Sequence, residues 1–340
     1  MIRFIAGFLI FTLLSCENSQ ERRDRFFELG NQALSNQKFE DALQLYSQAI
    51  KEDASYARAL NNRGVAQMEL DHPYEAILDY NMALAIDPND IDALFNRAYA
   101  YEEIGQYKNA LSDVSAIQKL QPDSAFVYFY KGLVQTKSTA YDEAFTSFQK
   151  ADLLDPQNPE TIVNLASVHY FKDQLPEAEQ LLSDAEELLS GNANAHNLKS
   201  LIALKKEELV VALNQVNKAL ALAPGESFFL NNRGYIYLQM DSLELALENI
   251  NRSIVLRPEN GWAYRNKGIY YLKRNEPLLA QKQLERALKT GDFIEDIYYY
   301  TGQAFSAQGN KAKACEYWRL GRKNREPKSK AFHTQSCSGA

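Results

Sequence analysis

The pentapeptide LNNRG occurs twice in this sequence, at residues 60–64 and at residues 230–234. The two copies begin 170 residues apart, and 170 is five times 34. A fixed repeat length is typical of proteins built from stacked copies of one small unit. The spacing therefore predicts that a 34-residue period runs through the chain.

Nine consecutive rows of 34 residues fit residues 23–328 without an insertion or a deletion. The eighth column holds only glycine, alanine or serine, and the twentieth column holds only alanine. Two helices approach closely only where neither projects a large side chain. We therefore predict that each row is an antiparallel helical hairpin in which a small residue of the first helix faces an alanine of the second. The alanines are Ala42, Ala76, Ala110, Ala144, Ala178, Ala212, Ala246, Ala280 and Ala314.

Large side chains fill other columns on the same helical faces. The fourth column includes Leu60 and Tyr264, and the twenty-fourth column includes Tyr80 and Trp318. Positions three or four residues apart share one face of a helix. Proline recurs in the thirty-second column of five rows, as at Pro88, where a residue without an N–H ends the second helix. Each row therefore indicates a helix, a turn and a helix.

These columns resemble the tetratricopeptide repeat, which has a large residue at its fourth place, Leu-Gly at the seventh and eighth, alanine at the twentieth and proline near its end. The resemblance covers 306 of the 340 residues. It implies an all-α, right-handed superhelical solenoid of nine tandem helix-turn-helix repeats, whose stacking builds the core. Departures are local: four rows lack the proline, and the sixth row has Ser200 where glycine is usual.

The first 15 residues have the composition of a signal peptide. They carry one positive charge, at Arg3, before an uncharged and mostly apolar stretch from Phe4 to Leu14. That stretch is shorter than the roughly 20 residues that a helix needs to cross a bilayer, but it suits the core of a signal peptide. The segment predicts export of the chain.

The segment ends in Leu13-Leu14-Ser15-Cys16, which resembles the lipobox of bacterial lipoproteins. The resemblance implies that Cys16 becomes the lipidated first residue of the mature protein, and that residues 16–22 form a short spacer beside the membrane. It also implies a lipid-anchored protein of the cell envelope, either periplasmic or surface-facing. An ordinary signal peptide with a chance cysteine, or an uncleaved anchor, is the alternative.

Two further cysteines, Cys315 and Cys337, remain in the predicted mature chain. Export leads to compartments that permit disulfides, and an even number of cysteines suits a bridge. Such a bridge would tie the C-terminal tail, residues 329–340, to the last helix pair. The spacing alone leaves open whether the two Cβ atoms meet.

Composition and motifs argue against several classes of function. A net charge of -7 and a pI near 5.3 do not suit nucleic-acid binding, and the short basic run at residues 319–330 is interpreted as a solvated end. The sequence has no phosphate-binding glycine loop and no metalloprotease or serine-hydrolase motif. His169 and His196 fall in core columns, and the four histidines lack the spacing of a metal site. The sequence thus predicts no enzyme, cofactor or metal site.

Binding is the function that the repeats favour. In the family, the second, fifth, ninth, twelfth and thirteenth positions of each row face a concave groove. Aromatic side chains at these positions would offer a partner large contact area at a small entropic cost. The alternative is that they pack between neighbouring repeats. The predicted groove residues are Phe95, Tyr99, Phe126, Phe129, Leu133, Val163, Tyr170, Phe171, Phe228, Asn231, Tyr235, Trp262 and Arg265.

One recognition mode of the family is not matched. Its co-chaperones clamp a C-terminal carboxylate with lysine, asparagine and arginine side chains from three consecutive rows. The first three rows here keep the asparagines, Asn31 and Asn62, but place Phe27, Asp92 and Asn96 at the cationic positions. A carboxylate would meet no positive charge in these rows, so we do not expect that mode there.

The sequence therefore predicts a lipid-anchored envelope scaffold that binds an extended or helical protein segment in an aromatic groove. A glycan-binding lipoprotein is the alternative, because aromatic faces also stack on sugars, although the long insertions of similar sugar-binding lipoproteins are missing. A third interpretation is a module that only spaces or multimerises a membrane complex.

Overall fold

A computed structural model of the chain describes residues 18–291 and 293–337, and the predicted lipidation site Cys16 lies outside them. The described residues form 20 helices and no strand. They divide into two compact units, the first ending at Pro156 and the second beginning at Gln157. The predicted all-α fold of tandem helix-turn-helix repeats is confirmed.

The first unit is a stack of four helical hairpins. In each hairpin the first helix packs against the second, and each second helix packs against the first helix of the next hairpin. The helices are α1 (Ser19–Ser35), α2 (Phe39–Glu52), α3 (Ala57–Glu69), α4 (Pro73–Ile86), α5 (Ile91–Glu103), α6 (Tyr107–Leu120), α7 (Ala125–Lys137) and α8 (Tyr141–Leu154).

The second unit contains five hairpins and a C-terminal helix. The second helix of its first hairpin is interrupted at Ala185 and continues as one short turn. The helices are α9 (Pro159–Phe171), α10 (Leu175–Asp184), α11 (Glu186–Leu189), α12 (Ala193–Lys205), α13 (Leu209–Leu222), α14 (Ser227–Gln239), α15 (Leu243–Leu256), α16 (Gly261–Lys273), α17 (Pro277–Leu288), α18 (Ile297–Ala307), α19 (Lys311–Lys323) and α20 (Pro327–Ser336).

The last residue of several rows starts the next first helix by capping it. The side-chain oxygen of Asp90 accepts a hydrogen bond from the Ala93 N–H at 3.1 Å, and Asn192 accepts one from Ala195 at 2.9 Å. Such caps satisfy N–H groups that the first helical turn leaves without partners. The 34-residue period therefore fixes where these first helices begin.

The turn inside every hairpin has one residue in the left-handed conformation, at the fifteenth place of the row. Its φ lies between 57° and 77° in all nine rows. In the second row the Asp71 N–H bonds to the Met68 carbonyl and the His72 N–H bonds to the Gln67 carbonyl, which closes the helix in a Schellman motif. Only two of the nine rows use glycine at this place. The left-handed residues of the nine rows, in order, are Gln37, Asp71, Gly105, Thr139, Asp173, Glu207, Asp241, Asn275 and Gly309.

Glycine at the eighth place lets a large residue of the second helix lie directly on the first helix. A Cβ placed on Gly64 would lie 2.5 Å from the ring of Tyr80, and one on Gly268 would lie 2.5 Å from Leu284. The sequence interpretation is extended here, because the small residue faces the large twenty-fourth residue as well as the backbone of the alanine at the twentieth place, as Gly234 faces Ile250 and Ala246. Both helices can approach only because the glycine leaves that space.

Two of the three rows without glycine at the eighth place have valine opposite it, and the third pairs Ala166 with Leu182. Ala98 lies in the same row as Val114, and both are fully buried. Ser200 lies in the same row as Val216, and its buried hydroxyl donates to the Ala212 carbonyl at 2.9 Å. In these two rows the volumes of the two positions therefore compensate within the hairpin.

Helix α20 begins at Pro327, two residues before the predicted C-terminal tail, and packs on α18 and α19. Its Phe332 contacts Tyr299 and Trp318, with ring centroids 5.1 Å and 5.5 Å apart. Cys315 in α19 and Cys337 after α20 are joined by a disulfide, with their Cα atoms 5.7 Å apart. Helix α20 and Cys337 are thus fixed to the last hairpin by both packing and a covalent bond.

We predict that Gly64→Ala lowers the free energy of unfolding by about 1–3 kcal/mol, because the new methyl group overlaps the Tyr80 ring. The same substitution should cost at least about 0.5 kcal/mol less in a Tyr80→Val background, which copies the Ala98 and Val114 pair of the third row. Urea denaturation of the four proteins, followed by circular dichroism, measures this. Additive costs would show that the two positions do not compensate.

Thr139 and Gly105 occupy equivalent places in neighbouring turns of the first unit, and both are left-handed. Gly105→Thr should lower the free energy of unfolding by about 1–2 kcal/mol, since a Cβ is unfavourable in this conformation. Thr139→Gly should raise it by up to about 1 kcal/mol, reduced by the entropy that glycine gains on unfolding. Effects of the same sign in the two urea titrations would contradict this account of the turn.

Candidate functional site

In the first unit, three of the four aromatic groove residues that the sequence predicted form one surface on the successive first helices α5 and α7. Phe95 of α5 contacts Phe126 of α7, with ring centroids 5.4 Å apart, and Tyr130 stacks on Phe126. Phe126 is 61% exposed and Tyr99 is 49% exposed. These rings form an open aromatic surface, which we call the α5–α7 surface.

Two other predicted groove residues of this unit are less available. Phe129 is partly buried, and its ring packs 5.7 Å from that of the core residue Phe148 in α8. Leu133 is also partly buried. Phe129 therefore belongs mainly to the interior of its own hairpin.

In the second unit, a cavity of about 510 Å³ opens among α9, α12, α14, α16 and the start of α18. We call it the α9–α18 pocket. It brings together seven of the predicted groove residues, which are Tyr170, Phe171, Phe228, Asn231, Tyr235, Trp262 and Arg265. It is also lined by Leu201, Leu204, Lys205, Asn232, Asn266, Glu295, Asp296 and Lys328.

The remaining predicted residue of this unit, Val163, does not belong to the pocket. Its side chain is 4% exposed and packs in the core with Ala166, Leu182 and Leu198. Val163 instead lines a separate cavity of about 240 Å³ together with Tyr170 and Phe171. It contributes little exposed surface, because its side chain packs mainly in the core.

Arg265 lies at one end of the pocket and is 4% exposed. Its Nε and Nη2 groups donate to Asn266 Oδ1 at 3.0 Å and 2.8 Å, and Nη1 donates to the Glu295 carbonyl at 2.9 Å. The guanidinium carbon lies 4.8 Å from the ring centroid of Trp262 and 4.9 Å from that of Tyr235. Two aromatic rings therefore hold this cation by cation–π contacts.

Two lysines of the pocket are paired with carboxylates. Lys205 lies 3.0 Å from an oxygen of Asp173 and also lies over the Tyr170 ring, and Lys328 lies 2.7 Å from an oxygen of Asp296. Burial raises the pKa of Tyr170 to about 12. The Tyr170 ring is therefore neutral at physiological pH and presents an uncharged aromatic wall.

Asparagine side chains connect neighbouring first helices in both units. In the second unit Asn266 donates to Asn231, and Asn232 donates to Asn197, each at 2.8 Å. Asn231 is buried, so it contributes to the pocket mainly by holding Asn266 in place. In the first unit the corresponding bonds run from Asn62 to Asn31 and from Asn96 to Asn61, each at 2.9 Å.

The pocket contains residues that the sequence prediction did not name. Leu201, Leu204 and Lys205 occupy the ninth, twelfth and thirteenth places of the sixth row, so the groove columns already pointed to them. Glu295 and Lys328 stand outside those columns. They reach the pocket through the start of α18 and the start of α20, which a row pattern does not specify.

The histidines in core columns make hydrogen bonds within the second unit. His169 Nδ1 lies 2.9 Å from Gln174 Oε1, and His196 bonds to Gln215 and to the Ser190 carbonyl. Within the described ranges, no three His, Cys, Asp or Glu side chains are grouped as metal ligands. None of the helices in that part of the chain has both the length and the apolar character needed to cross a bilayer.

Comparisons with known proteins agree with this repeat architecture. Family models described as tetratricopeptide repeat match residues 27–91, 80–112, 136–202 and 265–322, which together exceed half of the chain. A search of curated proteins gives no match.

Solved structures of repeat proteins are similar in fold at low sequence identity. Yeast Tom70 has a TM-score of 0.63 at 16% identity, with 88% of this chain and 66% of that chain covered. A tetratricopeptide repeat protein from Parabacteroides merdae has a TM-score of 0.52 at 16% identity, with 84% and 99% covered. The Cut9–Hcn1 structure has a TM-score of 0.57 at 16% identity, with 78% of this chain covered; the match spans only 52% of that chain.

The start of α18 beside the pocket depends on a buried carboxylate, which allows a test by pH. Glu326 accepts from the N–H groups of Tyr298 and Tyr299 at 3.1 Å and 3.0 Å, and burial raises its pKa. An acid with a raised pKa in the folded state stabilises the fold at low pH, and this contribution is lost as the pH rises through that pKa.

We therefore expect the unfolding temperature of the unmodified protein to fall relative to that of Glu326→Gln as the pH rises from about 4 to 8. Glutamine keeps an acceptor oxygen but does not titrate. Thermal denaturation of both proteins across this range measures the difference. Parallel profiles would show that Glu326 has no raised pKa.

Proposed function

The chain belongs to the tetratricopeptide repeat family, and from this premise we propose that it is a membrane-anchored scaffold of the bacterial cell envelope. Its role is to bind a protein segment through the aromatic surfaces of its first helices. No chemical step is required of it. A preformed surface limits the ordering cost of binding and so favours recognition.

The observation that carries this proposal is the α9–α18 pocket. Its walls combine aromatic rings with a few fixed polar groups, which is the usual composition of a binding site. Phe171 is 48% exposed and Phe228 is 39% exposed. Large apolar side chains that remain exposed in a cluster mark interaction surfaces more often than isolated ones do.

Membrane anchoring is supported by the sequence alone. The signal-like segment and the lipobox resemblance at Cys16 precede the described residues, and α1 begins at Ser19. An anchor at Cys16 would leave the first hairpin within a few residues of the lipid surface. A scaffold in this position would meet its partner beside the membrane.

The proposal is tested by photo-crosslinking in intact cells. A benzoylphenylalanine residue at Phe228, which lines the pocket, should give a discrete protein adduct. The matched control is the same residue at Val255 on the second helix α15, which is 78% exposed and outside the pocket. Exposure at both sites makes the comparison depend on location rather than on access.

An adduct from Phe228 that is absent from Val255 supports the scaffold and identifies its partner by mass spectrometry. Glycan-bearing material alone, together with glycan binding that is lost in Trp262→Ala, would replace the scaffold with a sugar-binding function. Equal labelling from both positions would indicate a module that only spaces a complex.

A further inference from the structure

The buried carboxylates of the described residues have compensating partners. Four of them form ion pairs: Asp79 with Arg63, Asp113 with Arg97, Glu102 with Lys137, and Asp296 with Lys328. The fifth, Glu326, accepts two backbone N–H groups at the start of α18 and a hydroxyl from Ser329. Burial of charge without such partners is costly, so this pattern is the expected one.

Arg265 departs from the pattern. It is the one buried lysine or arginine side chain in residues 18–291 and 293–337, and it forms no ion pair with any carboxylate there. Its hydrogen-bond acceptors, Asn266 Oδ1 and the Glu295 carbonyl, are both neutral. The two rings beside it, Trp262 and Tyr235, add attraction but no negative charge.

The guanidinium also has donors to spare. Its bonds use the Nε–H and one N–H on each terminal nitrogen, so each terminal nitrogen keeps a second N–H. Arg265 lines the α9–α18 pocket, and no carboxylate of the described residues forms an ion pair with it. The site therefore combines N–H groups that have no acceptor in this part of the chain with a guanidinium that has no ion-pair partner there.

We propose that Arg265 binds a carboxylate in the α9–α18 pocket and that an aromatic or large apolar group beside this carboxylate packs on Trp262 and Phe228. This assignment rests on the proposed function in one respect, namely that the partner segment supplies both groups. A guanidinium binds a carboxylate through parallel N–H bonds, and such bonds are strong where water is excluded.

The charges around the pocket favour a single negative charge. Lys205 is paired with Asp173 and Lys328 with Asp296, so Arg265 is left as the unpaired cation of the wall. Glu295 also lines the pocket. The acidic residues Glu295 and Asp296 oppose an anion in proportion to its charge, so they disfavour a doubly charged phosphate more than a singly charged carboxylate.

The proposal includes an apolar group because apolar side chains also line the pocket. Leu201, Leu204, Phe171 and Phe228 line the same cavity of about 510 Å³. A carboxylate alone would leave these side chains in contact with water. A carboxylate that carries an aromatic group would cover them as well.

The site differs from the co-chaperone clamp considered for the first three rows. That arrangement uses lysines and asparagines from three consecutive rows. The α9–α18 pocket uses one buried arginine between two aromatic rings, in the second unit. Arg265 is held in place before binding, so little side-chain entropy is lost when the ligand enters.

The test compares two probes that differ only in charge, 3-phenylpropionate and 3-phenylpropionamide. Binding to the full mature chain is measured by ligand-observed NMR titration at neutral pH. We expect the carboxylate to bind at least about tenfold more tightly than the amide. Equal affinities for the unmodified protein would overturn the assignment without any need for a variant.

Three variants test whether Arg265 causes the preference for the charged probe. Arg265→Gln should abolish the difference between the two probes, and Arg265→Lys should keep part of it. Arg233→Gln is the matched control, because Arg233 lies on the neighbouring helix α14 and bonds to Asn249 and Asn217 outside the pocket lining. A difference that survives Arg265→Gln in a folded protein would overturn the assignment.

Two peptides, one with an amidated C-terminus and one with a free C-terminus, identify the source of the carboxylate. Acetyl-Phe-Glu-amide offers a side-chain carboxylate, and acetyl-Gly-Phe with a free C-terminus offers a chain-terminal one. Tighter binding of either peptide than of its neutral amide counterpart supports the assignment and names the source. If neither peptide exceeds its neutral counterpart, the partner does not bind through a carboxylate.

The failure of this assignment is distinct from failure of the proposed function. A protein adduct from Phe228 with no preference for the charged probe would keep the scaffold and reject the carboxylate. A clear preference for the charged probe without any protein adduct would keep the carboxylate site and reject the protein partner.

Discussion

The close contact between the two helices of each hairpin is the constraint on which the rest of the structure depends. Glycine at the eighth place accepts a large residue from the twenty-fourth, as Gly64 accepts Tyr80 and Gly302 accepts Trp318. This contact sets the distance between the helices, and with it the stacking of one hairpin on the next. Where Ala98 or Ser200 replaces the glycine, the opposite residue is valine, so the packing is kept within those rows.

This regular packing leaves the first helices free to carry polar and aromatic side chains on their other face. Asparagine pairs such as Asn266 and Asn231 join successive first helices, which fixes the spacing of the rings that stand beside them. The α9–α18 pocket is formed in this way, from residues of four first helices and the start of a fifth. Its rigidity comes from the repeats, and its chemistry comes from a few positions that differ between them.

The sequence predicted the fold in detail because each column reports one packing requirement nine times over. The left-handed turn residue was less visible, since seven of the nine rows use a residue other than glycine there. The groove columns predicted which residues face the groove, and the structure has Trp262, Tyr235 and Phe228 in one cavity. The columns did not predict how exposed each side chain is, and Val163 and Arg265 are buried. The role of Arg265 depends on Glu295 and Asn266, and no spacing in a row predicts those contacts.

Helix α20 has a consequence for how copies of this chain can associate. A repeat array exposes an apolar face at each end, and such faces can add further copies head to tail without limit. Here α20 begins where a tenth first helix would start, and the disulfide between Cys315 and Cys337 fastens it there. A second copy could occupy the place of α20 on the last hairpin only by displacing this helix, which the disulfide opposes. The covalent cap therefore disfavours exchange of this end between copies, as in domain swapping.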